Sequence, residues 1–161
     1  MCEIGTFDGR TTLNMHQNCL NDHEIYTLDL PATDMDKTVY ELHEWEKIYI
    51  DKTETGKKIA HLKNTKSIKQ ILGDSAKFVR QDLNNYFDFI FIDGSHTKTY
   101  VENDTELALK LVQKDKGIIV WHDYNSGWDD VTKTMEGYYA NDERFKNIKS
   151  IRETSLLFLK S

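Results

Sequence analysis

Two pairs of polar residues in this sequence have the types and positions that acid–base or metal chemistry needs. Asp93 and His96 follow one strongly apolar run, and His122 and Asp123 follow another. If the two runs are neighbouring strands, they lie about 4.8 Å apart, and the two carboxylates can share one divalent cation. Histidine titrates near neutral pH and therefore suits the work of a general base.

These residues can meet only if the segments before them form one sheet. Strand-like and helix-like segments alternate between glycines, which is the pattern of a parallel sheet covered on both faces. Strands are predicted at 1–4, 24–30, 68–72, 87–92 and 117–121, and helices at about 11–21, 75–85, 99–114 and 131–138. Too few residues separate 147–151 from 156–159 for a crossover helix, so these segments should pair as an antiparallel hairpin.

The pattern thus predicts an α/β fold with a Rossmann-like doubly wound sheet, mostly parallel with a C-terminal antiparallel hairpin. Residues 1–161 are expected to form a single domain, because domains usually have about 100 to 200 residues. Residues 32–66 receive no firm assignment, although 38–45 fits a helix.

Composition limits the classes of function. The 161 residues carry 21 Lys and Arg against 27 Asp and Glu, a net charge of −6, which disfavours binding to nucleic acid. One basic run is typical of a solvated face; it contains Lys57, Lys58, Lys63, Lys66 and Lys69. No apolar run reaches the roughly 18 residues that span a bilayer, and no signal peptide is recognisable. We therefore expect no membrane partner and a cytoplasmic protein.

The loop after the first strand has the features of a ligand site. Gly5 and Gly9 let the backbone turn tightly, and the next helix N-terminus favours an anionic group. Phe7 and Arg10 stand where the GxGxxG fingerprint of nicotinamide dinucleotide folds requires glycine, so that cofactor is excluded. Asp29, about 20 residues further on, is placed to accept hydrogen bonds from a ribose diol.

Five motifs in register resemble the class I S-adenosylmethionine-dependent methyltransferases, and among them the metal-dependent sugar O-methyltransferases of macrolide biosynthesis. The motifs are EIGTFDGRTT at 3–12, TLDLP at 27–31, ILGDS at 71–75, FDFIFIDGSH at 87–96 and GIIVWHDY at 117–124. The resemblance implies that Asp29 holds the ribose and that Asp74 and Ser75 border the adenine. The methionine end would be lined by Glu3, Gly5, Thr6 and Gly9. The full set of implied cofactor-binding residues is Glu3, Gly5, Thr6, Phe7, Gly9, Asp29, Leu30, Asp74, Ser75 and Asp93.

The same resemblance implies roles for the polar residues after the two apolar runs. His96 and Asp93 are the implied catalytic residues, with His96 as general base, and the implied metal ligands are Asp93, His122 and Asp123. His122 departs from the family, which has a carboxylate at that position. Magnesium prefers oxygen ligands, whereas imidazole suits transition metals. The implied cofactors are S-adenosylmethionine and a divalent metal, magnesium or manganese.

Some of these residues also have structural interpretations. His122 and Asp123 can end their strand and bond to each other, and residues 73–75 can form a turn that caps a helix. Asp104 lies in the apolar stripe of its helix, as a partner for His96 or as a partly exposed side chain near a helix end.

Two functions of different classes fit the sequence. The first is an O-methyltransferase acting on a hydroxyl of a small molecule, a sugar or a glycoside, with Trp128 either as a wall of the substrate site or as core. The second is a non-catalytic methyltransferase-like domain that acts as a binding or partner module. The first predicted strand begins at residue 1, so we expect the chain to lack the family's usual N-terminal segment, and this bare strand favours a homo-oligomer.

Overall fold

The computed structural model describes residues 1–19, 22–62 and 67–161, and seven strands in this part of the chain form one sheet. The strands are β1 (Cys2–Ile4), β2 (Ile25–Asp29), β3 (Ile68–Leu72), β4 (Phe89–Ile92), β5 (Ile118–Trp121), β6 (Lys149–Ser150) and β7 (Leu157–Lys160). Their order is β3-β2-β1-β4-β5-β7-β6, and β7 runs antiparallel to both of its neighbours. The predicted Rossmann-like sheet with its C-terminal antiparallel hairpin is confirmed.

The register of the parallel strands brings their carboxyl ends to one level. Ile4 lies between Leu28 and Ile92, and Ile92 also pairs with Trp121. All four side chains are buried, and a shift of one residue would turn each of them to the opposite face of the sheet. Burial therefore fixes the register. The residues that follow this row share one edge of the sheet: Gly5, Asp29, Asp93 and His122.

Helices cover both faces of the sheet. The α-helices are α1 (Arg10–Asn18), α2 (Lys47–Ile50), α3 (Lys98–Leu111) and α4 (Asp129–Asn141). The 3-10 turns are Ala32–Lys37, Glu44–Glu46, Lys57–Leu62, Ser75–Lys77, Gln81–Leu83 and Glu143–Phe145. Within the described ranges, no helix has the length and apolar character that a bilayer span requires.

Each face of the sheet has its own apolar cluster. Ile90 packs with Ala108 of α3 and Met135 of α4 on one face, and Ile25 packs with Ile59 in a smaller cluster on the other. Fully burying a side chain of this size contributes about 1.5 to 3 kcal/mol. The two clusters hold α1, α3 and α4 against the sheet and so fix the loops at its carboxyl edge.

The helix predicted at 75–85 is wrong. This segment forms two separate 3-10 turns, because its apolar residues do not share one buried face. Leu83 is buried, whereas Val79 is 77% exposed. A helix that cannot bury an apolar stripe has little tertiary support.

Two further predictions of helices differ from the structure. The helix considered for 38–45 is absent, since the first helical turn there begins at Glu44, and α1 ends at Asn18. Residues 20 and 21 of the predicted first helix, together with Lys63 and Lys66 of the basic run, lie outside the described residues.

Candidate active site

A cavity of about 360 Å³ opens at the edge of the sheet where the parallel strands end. This volume lies in the lower part of the range for small-molecule sites, about 300 to 1,000 Å³. Several residues predicted from the sequence line it: Gly5, Phe7, Asp29, Leu30, Asp74, Ser75, Asp93, His96 and Asp123. The structure therefore gathers most of the predicted site residues around one space.

Gly5 lets the loops after β1 and β4 lie against each other beside this cavity. Its φ is +100°, and a Cβ placed on it would lie 1.9 Å from the carbonyl oxygen of Asp93. Real side chains cannot occupy that position, so any other residue would push the two loops apart.

Five side chains at one end of the cavity form a continuous series of polar contacts, which we call the carboxylate–histidine network: Glu46, His96, Asp123, His122 and Asp93. His96 bonds through Nδ1 to Oε1 of Glu46 at 3.0 Å and through Nε2 to Oδ2 of Asp123 at 2.8 Å. The same Oδ2 lies 2.9 Å from Nδ1 of His122, which lies 3.4 Å from Oδ1 of Asp93. The predicted base and metal ligands are thus in contact, and Glu46 joins them.

The network alternates negative and positive charge. Burial lowers the pKa of His96, but the bonds to Asp123 and Glu46 outweigh it and raise that pKa to about 9. Bonds to Asp123 and Asp93 raise the pKa of His122 to about 10. Burial would raise the pKa of Asp123, but the bonds from His122 and His96 hold it well below its usual range. At neutral pH both histidines in this form are imidazolium ions paired with carboxylates.

The three predicted metal ligands have a donor set that fits one cation. Asp93, His122 and Asp123 each place one donor atom within 4.8 Å of the other two. Ligands held about 2.1 Å from a single ion are about 3.0 Å apart along an octahedral edge and about 3.4 Å apart along a tetrahedral edge. The separations of 2.9 and 3.4 Å lie in this range, although together they match neither geometry on their own. The structural interpretation is met in part: His122 and Asp123 form a close ion pair, but Nδ1 of His122 has no hydrogen-bond partner of good geometry among the described residues.

Asp29, the predicted ribose ligand, forms an ion pair in the cavity wall. Its Oδ2 lies 2.8 Å from Nζ of Lys52, and both side chains are nearly buried. The same Nζ donates to the carbonyl oxygen of Tyr49 at 3.1 Å and lies 5.7 Å above the ring of Phe7. Burial raises the pKa of Asp29 even though Lys52 opposes this. Lys52 lies in the stretch that the sequence left unassigned, and no local spacing distinguished it.

Asp74 both lines the cavity and caps a turn. Its Oδ1 accepts hydrogen bonds from the backbone N–H of Ala76 at 2.9 Å and from the hydroxyl of Tyr100 at 3.0 Å. Its Oδ2 accepts one from the N–H of Val39 at 2.8 Å. Asp74 therefore caps the 3-10 turn Ser75–Lys77 and not the helix that the capping interpretation expected, and a contact of Asp74 with adenine stays a prediction.

Asp104 is not a partner of His96. It is 1% exposed, and it accepts hydrogen bonds from Ser75 and from Asn103. Both ring nitrogens of His96 are taken by Glu46 and Asp123. The alternative of a partly exposed Asp104 is wrong as well, because burial is complete and raises its pKa to about 6.

Three residues predicted at the methionine end lie behind the cavity wall that the described residues form. Glu3 has no exposed area, and its Oε2 accepts hydrogen bonds from the hydroxyls of Thr12 and Thr27. Thr6 is buried and its hydroxyl contacts that of Thr27, while Gly9 precedes α1 with φ +87°. Contact of these residues with a cofactor stays a prediction.

Trp128 forms part of the cavity wall beside His96. The Trp128 ring stacks on the imidazole of His96 with centroids 4.4 Å apart. The ring of Trp45 stacks on Trp128 with centroids 4.3 Å apart. Trp128 also packs against the apolar core, so the core interpretation is confirmed, and its role as a wall of a substrate site stays a prediction.

Several solved methyltransferase structures share the fold of this chain. The SAH-bound methyltransferase PaMTH1 of Podospora anserina superposes with a TM-score of 0.68 at 13% identity, over 99% of this chain and 70% of its own. An O-methyltransferase of Bacillus cereus in complex with SAH gives 0.61 at 18%, over 99% and 73%. CalS11, a TDP-rhamnose 3′-O-methyltransferase of calicheamicin biosynthesis, gives 0.58 at 11%, over 99% and 70%. At these identities the likeness concerns the fold.

A match to a family model shows which family the chain belongs to. A family described as a methyltransferase domain matches residues 2–124, which is most of the chain, and the protein belongs to that family. No curated protein matches the chain.

Proposed function

We propose that this protein binds S-adenosylmethionine in the cavity and transfers its methyl group to a hydroxyl of a small molecule. The observation that carries the proposal is that a member of the methyltransferase domain family lines one cavity with Gly5, Asp29, Asp93 and His96. The residues fit the cofactor. The glycine keeps the wall free of a side chain, and a nearly buried carboxylate at the end of β2 suits a ribose diol.

The side chains of the network supply the proton chemistry. S-adenosylmethionine carries the electrophilic methyl group, whose carbon–sulfur bond breaks as the carbon–oxygen bond to the acceptor forms. Removal of the hydroxyl proton requires the neutral form of His96, and a cation held by Asp123 would favour that form by withdrawing the carboxylate that stabilises the imidazolium ion. Nε2 would then accept the hydroxyl proton, while Nδ1 remains bonded to Glu46. Trp128 stacks on the imidazole and so covers part of the ring. No covalent bond to the protein is needed.

We also propose that Asp93, His122 and Asp123 hold a divalent metal ion. Such an ion lowers the pKa of a hydroxyl that it binds and orients it. His122 contributes a nitrogen donor, which favours manganese or another transition metal over magnesium.

A sugar or glycoside is the acceptor class that we propose. CalS11, which shares the fold, acts on a TDP-rhamnose. The cavity offers a flat aromatic wall at Trp128 beside the polar side chains of Asp93 and His96, an arrangement that suits a ring carrying hydroxyl groups.

Calorimetric titration with S-adenosylmethionine and SAH, with and without manganese, tests the proposal before any acceptor is known. We expect binding that the metal strengthens. Methyl transfer to a panel of glycosides should then fall about 100- to 10,000-fold in His96→Ala, with cofactor affinity unchanged. His61→Ala, an exposed histidine outside the cavity, is the matched control. Absence of cofactor binding by folded protein refutes the proposal, and binding without transfer to any acceptor supports the binding-module alternative.

The metal preference has its own test in His122→Asp. Wild-type protein should bind manganese at least about tenfold more tightly than magnesium, and the variant, with oxygen donors only, should narrow that ratio. Calorimetry measures the affinities for manganese and magnesium, and the electron paramagnetic resonance spectrum of bound manganese reports its ligands. Neither measurement requires turnover. Equal ratios in the two proteins would show that His122 is not a ligand.

A further inference from the structure

Glu46 is a buried carboxylate that is neither a proposed metal ligand nor the proposed base. Its side chain is 4% exposed, although it belongs to the short 3-10 turn Glu44–Glu46. A buried charge is retained at a cost unless it is paired and hydrogen-bonded, so the partners of Glu46 indicate what it does.

Four donors surround the two oxygens of Glu46, and two of them belong to His96. Oε1 accepts from the backbone N–H of His96 and from its ring Nδ1 at 3.0 Å. Oε2 accepts from the N–H of His43 and from Oγ of Ser95, each at 3.1 Å. Glu46 thus joins the turn at 44–46 to the loop after β4 and accepts two hydrogen bonds from His96, one from its backbone and one from its ring.

These two bonds decide which ring nitrogen of His96 faces the candidate metal ligands. An ionised carboxylate only accepts hydrogen bonds, and the bonds from His96 and His43 hold the pKa of Glu46 below its usual range in spite of burial. Nδ1 therefore keeps its proton toward Glu46. Nε2 points the other way, to Asp123 and the end of the cavity where the predicted metal ligands meet.

We infer that Glu46 is the positioning residue for His96: it holds the Nδ1 proton and the ring orientation, so that Nε2 faces the acceptor hydroxyl. The inference rests on the proposed function for its effect on turnover but not for its structural content. Stacking of Trp128 on the imidazole limits rotation of the same ring, so Glu46 and Trp128 together leave it one orientation.

Proton and nitrogen magnetic resonance of the His96 ring, combined with kinetics, tests this inference. In wild-type protein the Nδ1 proton should give a strongly deshielded, slowly exchanging signal, because it lies in a charge-assisted hydrogen bond. Glu46→Gln should abolish that signal and lower kcat by about 10- to 100-fold, with KM for S-adenosylmethionine within about twofold. Glu44→Gln, in the same turn but with an exposed side chain, should change neither.

Glu46→Asp guards against a variant that fails to fold. The amide of Glu46→Gln would face the donors of His43 and Ser95, whereas the aspartate keeps the charge and withdraws it from Nδ1. Folded Glu46→Asp should therefore also lose the deshielded signal. The inference is overturned if either folded variant keeps that signal or if kcat equals that of the wild type. If wild-type protein shows no turnover, the proposed function has failed, and the resonance alone decides the role of Glu46.

Discussion

Replacement of Glu3 by glutamine should make the protein more stable, and increasingly so as the pH rises. Glu3 has no exposed area, and its Oε1 has no hydrogen-bond partner among the described residues. Burial raises its pKa from 4.5 to about 7, although the bonds from Thr12 and Thr27 oppose this. The folded protein therefore holds the Glu3 proton more tightly than the unfolded chain does.

The size and sign of the effect follow from that difference in pKa. At about 1.4 kcal/mol per pKa unit, ionised Glu3 costs the fold about 3 kcal/mol. The cost is absent below pH 4.5, grows as the pH rises, and is complete above pH 7. Glu3→Gln removes the charge and keeps an acceptor oxygen for the two threonines, so its stability relative to wild type should increase by up to about 3 kcal/mol between pH 4.5 and pH 8.

Urea denaturation of both proteins at pH 5, 6, 7 and 8 measures this change. Glu24→Gln is the control for loss of a carboxylate, because Glu24 is only half-buried and bonds from Lys69 and Tyr86 lower its pKa. The pH dependence of its stability relative to wild type should have the opposite sign. A difference between Glu3→Gln and wild type that is the same at every pH would refute the assignment of a raised pKa to Glu3.

Two further substitutions test the cavity wall. Gly5→Ala should cost about 2 to 4 kcal/mol, because its Cβ would overlap the loop after β4 and its φ is positive. Gly137→Ala, in α4 with nothing within 4 Å, should instead be neutral or stabilising, and equal melting temperatures for the two variants would contradict this reasoning. Lys52→Met should lower the free energy of unfolding by about 3 kcal/mol, because Asp29 would lose the ammonium group with which it pairs. The loss should be larger at pH 8 than at pH 4, since removal of Lys52 raises the pKa of Asp29 further. Urea titration at the two pH values checks this, and a loss as small as that of the exposed-pair control Lys133→Met would show that the Asp29 pair contributes little.

The sheet was predictable because its signal is local and redundant. The run from Phe87 to Ile92 is apolar almost throughout, as expected of a strand covered on both faces, and the short connection before β7 requires an antiparallel return. The polar residues at the strand ends could be placed at one edge for the same reason. Asp93 and Asp123 follow strands that the structure shows to be neighbours.

What the sequence did not reveal depends on contacts between distant segments. Glu46 lies 50 residues from His96, and it stands in a stretch with no period that would assign it to a helix or a strand. The same holds for the pair of Lys52 with Asp29. The failed helix at 75–85 has the opposite cause, since its local pattern is helical and only the exposure of Val79 shows that no partner face exists.

β7 is translated after the other strands of the sheet, so β5 lacks this neighbour during most of synthesis. β7 pairs with β5 along its whole length, yet it lies at 157–160, after every residue that lines the cavity. While the chain emerges from the ribosome, β5 therefore carries an open edge next to His122 and Asp123 until β7 is complete. An unpaired strand edge is a template for association with other chains. Nascent chains that stop before residue 157 are thus the species in which aggregation should begin, and it should begin beside the candidate metal ligands.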